Sequence, residues 1–210
     1  MPLTSEEAPK HHHDANRSGV QLVAGRSQKP LQIVEPSPAW ASTFAALAQQ
    51  IRNALGDRAL AVEHVGSTSV PGLLAKDVID VDLVVADPGD EAAYVGCLEK
   101  TAGFVFYFRD LSPGAYQHRF FGRDGPPVWV NLHVYGPDCP EVARHCIFRD
   151  WLRTNERDRD LYAQVKRDAM AASCNAGETM REYNARKQPV IRQILDRAFK
   201  ATGLLEPGDE

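Results

Sequence analysis

Much that would simplify a functional reading is missing from this 210-residue sequence. It has no run of about 18 apolar residues and no apolar core near its N-terminus, which argues against a helical membrane span and a secretory signal; a cytoplasmic protein is expected. Its four cysteines, Cys97, Cys139, Cys146 and Cys174, form no CxxC pair and stand at no histidine spacing that would close a zinc site. They read as free thiols of a reducing compartment. Basic residues are in no excess: 24 lysines and arginines against 28 acids give a formal charge of −4, which argues against backbone-driven nucleic-acid binding. No GxxxxGK[ST] phosphate loop and no internal repeat occurs. What is left, 43% hydrophobic and 25% charged, suits a globular chain able to bury a core.

Residues 1–28 are polar and poor in core-forming side chains, and His11, His12 and His13 fall within them, so a disordered leader is expected there, with order beginning near Leu31. Residues 31–34 have the composition of a short strand. Ser37 then offers a cap and Pro38 a first turn to a helix whose Trp40, Phe44, Leu47, Ile51 and Leu55 share one face and which Gly56 ends. Strands are expected over 59–65 and 77–85, a helix over 90–101, and a strand over 103–108. A hairpin follows over 116–121 and 128–135, turned by Gly125-Pro126-Pro127. From Pro140 the pattern turns helical, interrupted at residues 175–177, with a bend or break expected at Pro189. The expected organisation is an α/β (α+β) core over 29–138, a helical region over 139–203 packed on it, and a disordered tail over 204–210.

The chemistry concentrates in residues 62–85, where a Gly66-Ser67 turn follows one apolar run and Asp80 and Asp82 interrupt the next. Residues two apart in a strand point to one face, so the two carboxylates project together while Ile79, Val81 and Leu83 face the core. At roughly 5 Å and an effective dielectric near 20 their repulsion costs about 3 kcal/mol, which a divalent cation would turn into attraction. Taken alone, Lys76 is more often a solvated lysine than a phosphate ligand; the rival readings of His133 and of Gly66-Ser67-Thr68 are a satisfied core histidine and an ordinary strand-to-helix cap. The mixed charges of 149–160 read as a solvated face, with Arg149 and Arg153, one turn apart, set aside as exceptions. Lys166 and Lys187 are two further candidates to face a cleft.

HVGSTSVPGLLAK followed by DVIDVDLVV resembles the GrpB family of the DNA polymerase β-like nucleotidyltransferase superfamily, whose signature is a Gly-Ser turn, about a dozen residues, then Asp-x-Asp in a strand. Weaker matches follow in family order over residues 30–200, among them Leu132-His133-Val134, Phe148-Arg149-Asp150, Tyr162 with Lys166, and Tyr183 with Lys187. The resemblance implies a nucleotidyltransferase-like mixed sheet flanked by helices. It also implies an activity that moves a nucleoside monophosphate from ATP or another NTP to a small-molecule acceptor.

In that reading Asp80 and Asp82 hold Mg²⁺ or Mn²⁺ and are catalytic, and Gly66, Ser67, Thr68 and Lys76 bind the nucleotide, with Arg119 reaching a phosphate or the acceptor. His133 stands where the superfamily has a third acid, and Asp77 stands where relatives have proline. A nucleotide-binding module without catalysis and a metal-dependent phosphohydrolase are the rival readings.

Overall fold

Alternation of apolar and polar residues builds a six-stranded mixed sheet in which one face is a core and the other carries the chemistry. A computed structural model describes residues 8–9, 19–27, 31–112, 116–125 and 128–205. The strands are β1 (Val20–Leu22), β2 (Ala61–Val65), β3 (Val78–Val84), β4 (Val105–Asp110), β5 (His118–Arg123) and β6 (Trp129–Tyr135), in the order β1-β4-β5-β6-β3-β2. Only β3 and β6 run parallel. Their register sets Asp80 beside Asn131 and Asp82 beside His133.

Helix α1 (Ala39–Leu55) buries Trp40, Leu47, Ile51 and Leu55, and α2 (Val95–Ala102) buries Leu98 and Ala102. Both pack on Ile79, Val81, Leu83, Leu132, Val134 and Phe121. Ser37 Oγ accepts from the Ala39 N–H at 3.3 Å, the cap that the sequence offers, and Gly56 ends α1 at φ 58°.

The helices α3 (Pro140–Thr154), α4 (Glu156–Ala176) and α5 (Met180–Ala201) gather over the segment that joins β2 to β3. There Val70, Leu73 and Leu74 meet Leu152, Tyr162 and Ile194. Among the described residues no helix is long and apolar enough to cross a membrane.

The structure departs from the sequence reading at several points. Order begins earlier than Leu31: Val20, Gln21 and Leu22 pair with Asp110, Arg109 and Phe108, so β1 exists because β4 offers it an edge. Residues 31–34 do not form a strand; only Val34 pairs, with Ala75, while Leu31 and Ile33 pack against helical side chains. The expected break at Pro189 is absent. Helix α5 runs through it, started by a capping box between Thr179 and Glu182 and held by buried Tyr183, Ile194, Leu195 and Phe199. The 149–160 run is not wholly solvated either: Asp158 is buried, accepting from the Trp151 indole and from Arg197 on α5. The His11–His13 run, most of the expected leader, Pro126-Pro127 of the hairpin turn and residues 206–210 lie outside the described residues.

Candidate functional site

Asp80 and Asp82 stand on the face of β3 opposite the α1/α2 core, as their spacing requires. They are not equivalent. Asp80 is half-buried and accepts from Asn131 Nδ2 at 2.6 Å, and Asn131 Oδ1 in turn accepts from Arg26 at 2.8 Å. Asp82 has no exposed surface: its Oδ2 lies 2.7 Å from His145 Nδ1, and its Oδ1 has no hydrogen-bond partner. Burial presses the His145 imidazolium down, but the charge of Asp82 and its hydrogen bond outweigh it and raise the pKa to about 9.

The turn after β2 comes within van der Waals reach of Asp80. Gly66 has φ 70° and ψ −174°, a region open essentially only to glycine, and a β-carbon there would lie 2.9 Å from the Asp80 Cβ. Ser67–Ser69 form a single 3₁₀ turn, so the strand-to-helix reading of this cap fails and no α-helix dipole adds to the site. Thr68 is buried and committed: its hydroxyl donates to the Val78 carbonyl at 3.0 Å and lies 3.1 Å from His64 Nε2. Two arginines of α3 clamp the same loop. Arg153 donates to the Ser69 carbonyl, and Arg149 to the His64 carbonyl and Glu63.

A cavity of about 30 Å³ opens beside this turn, bounded by Ser67, Lys76, Asp80, Lys166, Tyr183 and Lys187. Two helices that are remote in sequence supply half of these residues. Lys76 Nζ lies 3.0 Å from Met180 Sδ, Lys166 donates to the Leu74 carbonyl, and Lys187 sits 4.3 Å over the Tyr183 ring. Burial lowers all three ammonium pKa values against the opposing pull of Asp80, Lys166 well below its usual range and Lys187 to about 7. A cleft of about 660 Å³ adjoins the cavity and shares Lys76 and Val78 with it; Arg26, Trp129, Asn131 and Arg181 also line it.

His133 lies across from Asp82 with Nδ1 3.0 Å from His118 Nε2, and the two rings stack at 5.1 Å. Burial lowers its pKa and His145 adds to the effect, against Asp82. Arg119 is not in this site. Its register partner is Val134, which belongs to the opposite face, and its guanidinium donates to Glu91 at 2.7 Å within the α1/α2 side. Alternation along β5 sends His118 and Phe120 toward the site and Arg119 away. Asp77 also sits elsewhere, accepting from the Trp40 indole at 2.8 Å.

The residues that sequence reasoning missed are Arg26, Asn131 and His145. Arg26 fell in the expected leader, and the other two carry no signal until β6 and α3 are placed. Among the described residues no cluster of three or more His, Cys, Asp or Glu side chains forms a metal centre. The two carboxylates nonetheless match Mg²⁺, a hard cation that takes one or two carboxylates and completes its shell with water and phosphate oxygens, and the unpartnered buried Asp82 Oδ1 is an acceptor of the required kind.

Known proteins resemble this chain over most of its length. The profile of a family described as GrpB protein matches residues 30–197. The UPF0157 protein BH1888 of Halalkalibacterium halodurans is 43% identical over 168 residues, covering 80% of this chain and 82% of its own. The crystal structure of the conserved protein GrpB from Enterococcus faecalis superposes with a TM-score of 0.63 at 28% identity, covering 80% of this chain and 99% of that one. A dephospho-CoA kinase of Mycolicibacterium paratuberculosis is 28% identical over 194 residues, 82% of this chain but 47% of the kinase.

Proposed function

The chain belongs to the GrpB family, and from that premise and the geometry of its site we propose that it is a Mg²⁺-dependent nucleotidyltransferase. It would pass a nucleoside monophosphate from ATP or another NTP to a small-molecule acceptor. The observation that carries this reading is the close fit of the Gly66 turn against Asp80, with the unpartnered Asp82 Oδ1 two residues further along the same face. Asp80 and Asp82 hold the cation, which when bound supplies charge neutralisation to the triphosphate oxygens.

The protein's own residues do the rest. The 660 Å³ cleft is large enough for a nucleoside, and Lys76, at its boundary with the smaller cavity, meets the phosphates. Asn131 fixes the Asp80 carboxylate and is itself fixed by Arg26. In the tautomer that points its Nδ1–H at His118 Nε2, 3.0 Å away, His133 keeps a basic Nε2, which would take the proton of the acceptor's attacking group as pyrophosphate leaves. Catalysis is then positioning and electrostatics, as in phosphoryl transfer generally.

The test is Asp82→Asn, assayed by pyrophosphate release from Mg-NTP with a panel of small acceptors. A loss of about a thousandfold or more, equivalent to roughly 4 kcal/mol of barrier, is expected with the fold retained. Turnover equal to that of the wild type would remove the proposal. One observation favours a second reading, a nucleotide-binding module without turnover: the Asp82 carboxylate already has a cationic partner in His145. Calorimetry that detects Mg-ATP binding without pyrophosphate release across the acceptor panel would select it.

A further inference from the structure

We propose that the outer edge of β1 is a self-pairing surface, on which a second copy of this chain lays its own β1 antiparallel and joins two six-stranded sheets into one. The inference stands apart from the nucleotidyltransferase reading and does not depend on it.

The two edges of the sheet are unlike. β2 closes one end of the strand order, and there Arg149 of α3 donates to the His64 carbonyl and to Glu63, so a helix and charged side chains guard that edge. β1 closes the other end, and among the described residues nothing pairs with its outer side. Residues 19–25, Gly-Val-Gln-Leu-Val-Ala-Gly, contain no charge and no proline, so two devices that commonly blunt an open edge are missing. Leu22 is 81% exposed and Val23 46%.

The hydrogen bonds of β1 fix which of its backbone groups are spare. The Leu111 N–H donates to the Gly19 carbonyl at 3.1 Å and the Val23 N–H to the Tyr107 carbonyl at 2.8 Å, and between them the register sets Gln21 against Arg109. Bonded pairs alternate along an antiparallel ladder, so Gly19, Gln21 and Val23 turn their amides toward β4, and Val20 and Leu22 turn theirs outward. Spare residues two apart are self-complementary. A second β1 placed about a two-fold axis at Gln21 sets Val20 against Leu22 of the partner subunit, and Leu22 against Val20 of the partner subunit, each pair exchanging both N–H···O bonds. The same pairs match apolar side chains on one face, and the Gln21 amides meet on the other, with no like charges opposed. This symmetry singles out the same segment of a second copy over a foreign strand. The contact is only a few residues long on each side, so the dimer is weak and reversible. β1 leads into Arg26, whose guanidinium holds Asn131, and pairing therefore fastens the segment that carries this residue to the site.

The experiment uses the full chain under reducing conditions, because Cys174 is exposed, and follows sedimentation equilibrium and amide hydrogen exchange from about 10 μM to about 1 mM. The mass should rise from that of one chain toward that of two. Exchange at Val20 and Leu22 should slow with concentration, while Gln21 and Val23, already turned toward β4, change little. Leu22→Lys should weaken dimerisation tenfold or more without a shift in melting temperature, because the side chain is exposed and the substitution brings like charges near the axis. Leu60→Lys, at an exposed apolar residue beside the guarded edge, should leave the dimer unchanged. A chain that stays monomeric up to about 1 mM, or a dimer that Leu22→Lys does not weaken, overturns the proposal. A chain that stays monomeric while an added peptide of alternating valine and threonine protects the Val20 and Leu22 amides assigns the edge to a foreign strand, and overturns the self-pairing.

Discussion

The backbone of Gly66 and the carboxylate of Asp80 occupy adjoining space with nothing between them: any β-carbon at Gly66 would press on the Cβ, Cγ and Oδ2 of Asp80. Two requirements thus fall on one residue, a dihedral pair open to glycine and the absence of a side chain. The turn fixes the carboxylate from one side and Asn131 fixes it from the other. This is how a carboxylate on a strand is held in place without an α-helix at the turn.

Gly66→Ala should therefore cost about 3 kcal/mol of stability, from backbone strain and from displacement of Asp80. Urea denaturation measures the first effect and Mn²⁺ titration the second. A variant of wild-type stability and wild-type metal affinity would show that the close approach does not constrain the site.

Arg119 and Glu91 supply a contrasting case. Arg119 is almost fully buried and shares Glu91 with Arg109, the two guanidinium groups donating to one carboxylate from adjacent strand positions. Glu91→Gln leaves two cations facing each other with one of them desolvated, and should destabilise by about 2–3 kcal/mol. Arg119→Met should cost less, because it removes a buried group whose Nη1 has no partner and leaves Arg109 to pair with Glu91. Neither substitution should change Mg-nucleotide affinity, since both residues lie on the far face of the sheet. A fall in affinity with Arg119→Met would place this arginine in the site after all.

Arg119 also shows where the sequence stops being legible. The run Gln117 to Phe121 alternates, but an aromatic occupies each phase, Phe120 on one face and Phe121 on the other, so pattern alone does not say which face carries chemistry. Pairing with β6 decides it, and that is a contact between distant residues. The strand β3 posed no such problem, because Ile79, Val81 and Leu83 are uniformly apolar and leave the aspartates one face to share. Helix α1 was legible from its spacing, its cap and Gly56, and the helical run after Pro140 from its pattern and the interruption at 175–177. Strand β1 was not: Val20, Gln21 and Leu22 are largely exposed and carry no periodicity, and their strand geometry comes from the β4 edge. Arg26 was lost with them. His145 was hidden for a different reason, since only the docking of α3 on β2 turns that helix face toward Asp82.

His64 ties acid stability to the same turn. The Thr68 hydroxyl has one proton and donates it to the Val78 carbonyl, so His64 Nε2 is the donor in their 3.1 Å contact and the neutral ring satisfies the arrangement. Burial, with Arg153 and Arg149 adding to it, lowers the His64 pKa from 6.5 to about 4. Above pH 6.5 the ring is neutral in folded and unfolded chains alike and its titration contributes nothing. Between pH 6.5 and 4 the unfolded chain takes up the proton and the folded one does not, so stability falls as pH falls, by a total of roughly 3 kcal/mol from this residue, and below pH 4 the loss is complete. His64→Gln keeps a donor toward Thr68 and removes the titration. Urea denaturation at intervals from pH 7 to pH 4 should show the wild type losing roughly 3 kcal/mol more than this variant. Parallel pH profiles for the two proteins would mean that the ring is protonated in the fold and that the Gly66–Thr68 turn is held by something else.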